Sequence, residues 1–224
     1  MNLASYPCPL PDGSNAAEYA FLVGQDARQR LLIVPALLDE GHRLRRLCVD
    51  VMRRLAGAGI GAILPDLPGT NESQVNLPSL TLADWAAAAR AAARHFDATH
   101  VLAVRGGGLI VPPGLPGWRY GAVTGASQLR TLLRARVLAS REARREESSE
   151  ALLHAGLEHG LELAGYRLGA AMIRQLQAAA PEPVLPEIGH DLLGGSPLWL
   201  RAEPDASAAQ ADALAAYLVM AMRG

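Results

Sequence analysis

Lysine is absent from this sequence, and all 21 basic residues are arginine. Together with abundant alanine, this points to the codon usage of a GC-rich genome rather than to a ligand. Cysteine is scarce: Cys8 stands in a proline-rich segment and Cys48 in an expected amphipathic helix. The two read as reduced thiols rather than a disulfide framework, which suggests a cytoplasmic protein. No run of about 18 apolar residues occurs, so no membrane span is expected. Residues 1–14 lack a basic stretch followed by an apolar core, so no signal peptide is expected either. A basic excess is also missing, since the net charge is -1, and this argues against a general nucleic-acid binder. His154 and His159 are five apart rather than four, and no Walker-type loop or GxGxxG fingerprint is present. Neither a metal nor a cofactor is expected.

What is present is a chain of 224 residues, half hydrophobic and 19% charged, sized for one domain over 1–224. Short apolar runs alternate with longer alanine-rich helical patterns, the rhythm of an α/β fold around a mostly parallel sheet. Strands are expected at Tyr19–Val23, Leu31–Pro35, Gly61–Pro65, His100–Val104, Tyr120–Val123 and Leu198–Ala202. Helices are expected at Arg43–Ala58, Leu82–Phe96, Gln128–Leu138, Gly169–Ala179 and Ala208–Met222. Thr81, with Asp84 three residues on, reads as a capping box. Gly57 and Gly59 bracket the end of the preceding helix. The run Ser140–Glu150 mixes both charges at helical spacing and reads as a solvated helix face or a connector. Gly160–Leu168 alternates apolar and polar residues and reads as a short strand or hairpin. The stretch of about 139–168 is taken as a small insertion capping the carboxyl edge of the sheet.

Ligands of open parallel sheets sit beyond the carboxyl ends of the strands, so the segments after Pro35, Pro65 and Val104 matter most. The segment from Thr99 to Val111 has the grammar of a nucleophile elbow: an apolar strand, a glycine-rich turn and an apolar helical start. Ala103-Val104-Arg105-Gly106-Gly107 places small residues two before and two after the centre. That centre is Arg105, a permanent cation that cannot act as a nucleophile. At a helix N-terminus Arg105, Gly106 and Gly107 would instead suit an anion. The plainer reading is a tight turn with Arg105 paired to a nearby acid. Ser73, Ser127 and Ser196 lack the strand–serine–helix setting that exposes an activated hydroxyl. Asp39 and Glu40 either cap the next helix or salt-bridge Arg105 to floor a polar pocket. His42 reads as a surface residue, and Asp66 as an Asx-type turn. His190 follows in the chain order of a triad base but reads as a loop histidine. Catalytic roles for His190, Asp39 and Glu40 are therefore weak alternatives.

The segments VPALLDEGHRLRR, DLPGTNES, VLAVRGGGL, AVTGASQLRTLLRAR and LELAGYRL, taken in order, resemble the α/β-hydrolase-like proteins encoded beside exosortase A systems of bacteria. Pro35, Asp39, Glu40, Arg45 and Arg46 match the first family motif, and Asp66, Leu67, Pro68, Gly69 and Ser73 the second. Arg105 and Gly107 match an elbow that carries arginine where serine is usual. Gly125, Leu129, Leu133, Arg134 and Arg136 match a later stretch, and Ala164-Gly165-Tyr166 echoes a motif in the cap. Asn71, Leu37 and His42 depart from the pattern. The resemblance covers about residues 30–170. It implies an α/β-hydrolase fold with helices on both faces, and a role connected with exopolysaccharide production and protein sorting at the envelope. The leading expectation is a protein without Ser-His-Asp catalysis that binds a polar or anionic small molecule near Arg105. The alternatives are an unconventional hydrolase or acyltransferase, and a non-catalytic scaffold.

Overall fold

Alternation along the first residues builds a hairpin that the sequence reading passed over. In β1 (Asn2–Pro9), Tyr6 and Cys8 point inward between exposed neighbours. It pairs antiparallel with β2 (Asn15–Val23), with Asn2 opposite Leu22 and Pro9 opposite Asn15. The computed structural model describes residues 1–201 and 205–224. The later strands are β3 (Arg30–Val34), β4 (Gly61–Pro65), β5 (His100–Val104), β6 (Gly117–Tyr120), the pair β7 (Leu161–Leu163) and β8 (Tyr166–Leu168), and β9 (Glu187–Ile188). A seven-stranded sheet runs β1-β2-β4-β3-β5-β6-β9; β2 joins β4 antiparallel, and the strands from β4 to β9 are parallel.

The central strands were legible because both their faces are covered, which makes them continuous apolar runs. Leu31, Ile33, Leu102 and Val104 pack with α1 (Asp39–Gly57) and α6 (Ala208–Arg223). Leu32, Val34, Val101 and Ala103 face the other way, towards α2 (Leu82–His95), α3 (Gly125–Glu142) and α5 (Ala170–Ala178). The capping box of α2 forms as expected: Thr81 Oγ1 accepts from the Asp84 N–H, and the Asp84 carboxylate accepts from the Thr81 N–H at 2.8 Å.

Two expected strands are corrected. The one placed at Tyr120–Val123 is β6, which ends at Tyr120 because Gly121 turns the chain with φ +59°. Gly117 begins it, since a β-carbon there would lie 1.9 Å from the Val101 carbonyl oxygen of β5. The one placed at Leu198–Ala202 is a single 3-10 turn, Leu198–Leu200, entered from Pro197 at φ -59°. Ala202 lies outside the described residues. The charged run ends α3 and leads into a helix not foreseen, α4 (Ser149–His159), capped by Ser148. The expected hairpin is β7–β8, closed by Ala164 and Gly165 at φ +50° and +82°, the primed-turn geometry that suits twisted strands. Leu163, Leu168 and Leu152 tie this hairpin and α4 to the α2–α3–α5 side of the core. Among the described residues no helix is long and apolar enough to cross a membrane.

Candidate functional site

The elbow forms at the end of β5, but the helix expected after it does not. Arg105–Leu109 is one 3-10 turn. Three consecutive glycines favour helix poorly, and Val111 precedes Pro112-Pro113, a position from which the helical conformation is sterically disfavoured. The helix N-terminus from which anion binding at Arg105, Gly106 and Gly107 was argued is therefore missing. The strained turn itself is real: Arg105 has φ +51°, a left-handed conformation that non-glycine residues seldom adopt. Its small neighbours are required by close approach. A β-carbon on Gly107 would lie 2.6 Å from the carbonyl oxygens of Val34 and Pro35, and one on Gly106 would lie 2.6 Å from Gln128 Oε1.

Arg105 turns its side chain inward to an ion pair. Nε and Nη2 donate to the two carboxylate oxygens of Glu40 at 3.0 and 2.9 Å, and Nη1 donates to the Gly121 carbonyl at 2.6 Å. The guanidinium also lies over the Trp199 ring, 4.4 Å from its centroid. Each side chain of the pair is 14% exposed. The two sequence readings of the acids thus separate. Glu40, in the first turn of α1, takes Arg105, whereas Asp39 pairs one turn along with Arg43 at 2.7 Å. Neither caps the helix: its N-cap is Leu38, with no side-chain hydrogen bond.

His190 comes near this pair, through Trp199. Its ring lies edge-on to Trp199, with centroids 5.2 Å apart. Rather than sitting free in a loop, His190 opens a 3-10 turn, His190–Leu192. Nε2 lies 3.0 Å from the Gly195 carbonyl, which can only accept, so this nitrogen carries the hydrogen. Nδ1 then accepts from the Tyr120 hydroxyl at 2.8 Å, and burial pushes that phenol's pKa up. Both ring nitrogens are thus engaged within the protein, one by Gly195 and one by Tyr120. Trp199, the bridge between Arg105 and His190, went unnoticed because a lone tryptophan near the carboxyl end carries no local signal.

An oxyanion hole would be drawn from the N–H after the nucleophile and from the loop after β3. Gln128 of α3 spans those two segments. Its Nε2 donates to the Leu37 carbonyl at 2.8 Å, while its buried Oε1, without a partner among the described residues, faces Gly106.

Two strands over from the elbow, beyond the carboxyl end of β4, lies a second polar cluster. Asp66 is 3% exposed, and instead of forming an Asx turn it receives Arg45 Nη1 at 2.8 Å and Asn71 Nδ2 at 2.6 Å on the same oxygen, Oδ1. Arg45 also covers the Phe21 ring. His42 is exposed, as expected, and stacks on Tyr166 of β8 with ring centroids 6.0 Å apart. Glu18 of β2, only 2% exposed, accepts from the Ser73 hydroxyl at 2.6 Å. Burial raises its pKa, and the Asp66 carboxylate adds to the rise. Period-two alternation could have found it: Glu18 shares a strand face with Ala20 and Leu22. Cys8 and Cys48 are free and buried, and burial pushes both thiols up to about 12. Among the described residues no group of three or more His, Cys, Asp or Glu side chains could hold a metal ion.

Comparison of the sequence with protein-family models and with curated proteins finds no match. Among solved structures the chain is similar to an Agrobacterium vitis S4 protein described as a hydrolase, at 19% identity and a TM-score of 0.51, covering 80% of this chain and 72% of that one. It is also similar to mouse alpha/beta hydrolase domain-containing protein 10, at 13% identity and a TM-score of 0.54, covering 79% of this chain and 70% of that one. The likeness is one of fold: this chain has the α/β-hydrolase fold, with helices on both faces of a mostly parallel sheet.

Proposed function

We propose that this α/β-hydrolase-fold protein is a cytoplasmic binder of a polar small molecule that does not hydrolyse substrates through a serine triad. The observation that carries the reading is Arg105, placed on the elbow where a nucleophile would stand and held by both oxygens of Glu40. The engaged nitrogens of His190 and the position of Gln128 between Leu37 and Gly106 support it further. In this reading Arg105 holds the start of α1 in place. The ligand is taken just beside it, where Arg45, Asp66 and His42 meet the carboxyl ends of β3 and β4. Residues 139–168 act as the cap, bringing Tyr166 over His42. The order of the sequence motifs extends the proposal to a role in exosortase-linked exopolysaccharide production.

The test is a fluorophosphonate probe with a panel of short acyl esters, applied to the wild-type chain and to Arg105→Ser. Neither labelling nor turnover is expected from either protein, because a serine on the elbow would find His190 already bonded to Tyr120 and Gly195. Labelling of the wild type would overturn the reading. For the pathway, deletion of the gene is expected to reduce exported exopolysaccharide, and unchanged export removes that part of the proposal.

A further inference from the structure

At the amino ends of β3 and β4, the opposite end of the strands from the elbow, one face of the sheet is only partly covered. α2 packs on the face that carries Ala4, Leu22 and Ile63 but ends at His95, and Asp97 turns the chain at φ +49°. Past that end lies a recess of about 260 Å³, whose walls include Ala4, Leu22, Ile63 and Phe96 and whose polar groups include Arg30 and His95. Ligand pockets commonly hold about 300–1,000 Å³ and combine apolar walls with a few polar groups. This smaller one suits a slim apolar ligand with a single charged head.

Arg30 opens β3 and shares a strand face with Leu32, which puts its side chain on the α2 side. Its guanidinium is poorly occupied. Nε has no partner among the described residues, and the group's one ionic contact there, Nη2 to Asp97 Oδ2, spans 3.7 Å. That is beyond hydrogen-bond reach. The Asp97 side chain is 75% exposed, so the pair contributes little and yields readily. Nε is shut off from solvent, but the Arg30 side chain as a whole is 30% exposed, so a ligand meets its terminal nitrogens.

The chemistry of the recess selects its occupant. A cation would be repelled by Arg30, and a neutral alcohol would cover the apolar walls but leave the guanidinium to Asp97 alone. A carboxylate presents two oxygens to the planar guanidinium fork, while an alkyl tail takes the apolar walls out of water. We propose that this recess binds a medium-chain fatty acid, its carboxylate on the terminal nitrogens of Arg30 and its tail against Ala4, Leu22, Ile63 and Phe96. The site lies apart from the polar cluster beyond β4, and neither needs the other.

The probes are octanoate, butyrate, octan-1-ol and octylamine, each titrated calorimetrically into the full chain, into Arg30→Met and into Ala4→Trp. Methionine keeps most of the arginine stem and removes the charge, and tryptophan fills the recess from β1. Octanoate is expected to bind the wild type about tenfold or more tightly than octan-1-ol, with octylamine the weakest of the eight-carbon probes. Butyrate, four methylenes shorter, is expected to bind at least about fiftyfold more weakly than octanoate. Arg30→Met is expected to bring octanoate down to the level of the alcohol, and Ala4→Trp to weaken both. Equal binding of octanoate and octan-1-ol, a preference for octylamine, butyrate as tight as octanoate, or no binding by any probe overturns the proposal. So does a preference for octanoate over the alcohol that survives in Arg30→Met, or octanoate binding unchanged in Ala4→Trp. Should either variant fail to fold, the ranking of the four probes on the wild-type chain still decides.

Discussion

The elbow and the neighbouring cleft each hold an arginine–carboxylate pair at the same edge of the sheet, yet they are finished differently. Arg105 and Glu40 meet through two hydrogen bonds with both side chains 14% exposed, and Gly121 and Trp199 take up the rest of the guanidinium. Arg45 and Asp66 meet through one contact of 2.8 Å, the arginine side chain 28% exposed and the aspartate 4%. Beside them Glu18 keeps one oxygen without a partner among the described residues. A network closed on itself gives rigidity, whereas one left a donor short carries a desolvation cost. The closed pair sits at the turn after β5, and the open cluster lies two strands away, beyond β4.

The comparison breaks first at Gly107. A β-carbon there meets the backbone oxygens of Val34 and Pro35, which cannot turn aside, so Gly107→Ala is expected to cost about 4 kcal/mol in urea denaturation. A loss under about 1 kcal/mol would show that the elbow is not rigidly seated. Next is the brace. Arg105→Ala strands Glu40 in a mostly buried setting and is expected to cost about 3 kcal/mol. The double variant with Glu40→Ala should cost clearly less than the sum of the two single ones, with a coupling of about 2 kcal/mol. Additive losses would mean that the pair is not coupled. Arg45→Ala sharpens the contrast, with an expected loss of about 1 kcal/mol, because the buried Asp66 carboxylate keeps the Asn71 amide as a donor.

The smallest effect has the opposite sign. Glu18 has its folded pKa raised above the ordinary 4.5, chiefly by desolvation. Below 4.5 it is protonated whether the chain is folded or not, and it contributes nothing to pH dependence. As pH rises through 4.5 towards the raised value, the unfolded chain ionises first, so folding stability falls and stays lower at neutral pH. Glu18→Gln removes that loss. It should be stabilising by about 1 kcal/mol at pH 7 and neutral near pH 4, read as the difference in melting temperature. A variant less stable than wild type at pH 7 would mean that Glu18 is well partnered after all.

Three of the parallel strands could be read from the sequence almost to the residue. A strand covered on both faces must be apolar through its buried length, and Leu31–Pro35, Gly61–Pro65 and, after His100, Val101–Val104 are. The turn at Arg105 was legible for a similarly local reason, since only small residues at Ala103 and Gly107 permit it. The edges of the sheet were not legible. β9 has two residues and β1 precedes the first expected strand, and segments this short or half-exposed carry little periodicity. The helix after the elbow was over-read, although Pro112-Pro113 already argued against it.

Pairing across the fold lay further from reach. That Arg105 needed an acid could be said from its chemistry. That Glu40 rather than Asp39 supplies it depends on how α1 leaves β3, because successive helical residues point about 100° apart. Trp199 reaches Arg105 across 94 positions, and Glu18 reaches Ser73 across 55, by way of sheet neighbours that no local pattern encodes. The sequence by itself determined the class of fold, the central strands and the arginine at the elbow, because these follow from hydrophobic periodicity and residue chemistry. Only the tertiary structure decided which charges are satisfied and which is left over, because desolvation and hydrogen-bond partnership belong to surroundings that the whole fold assembles.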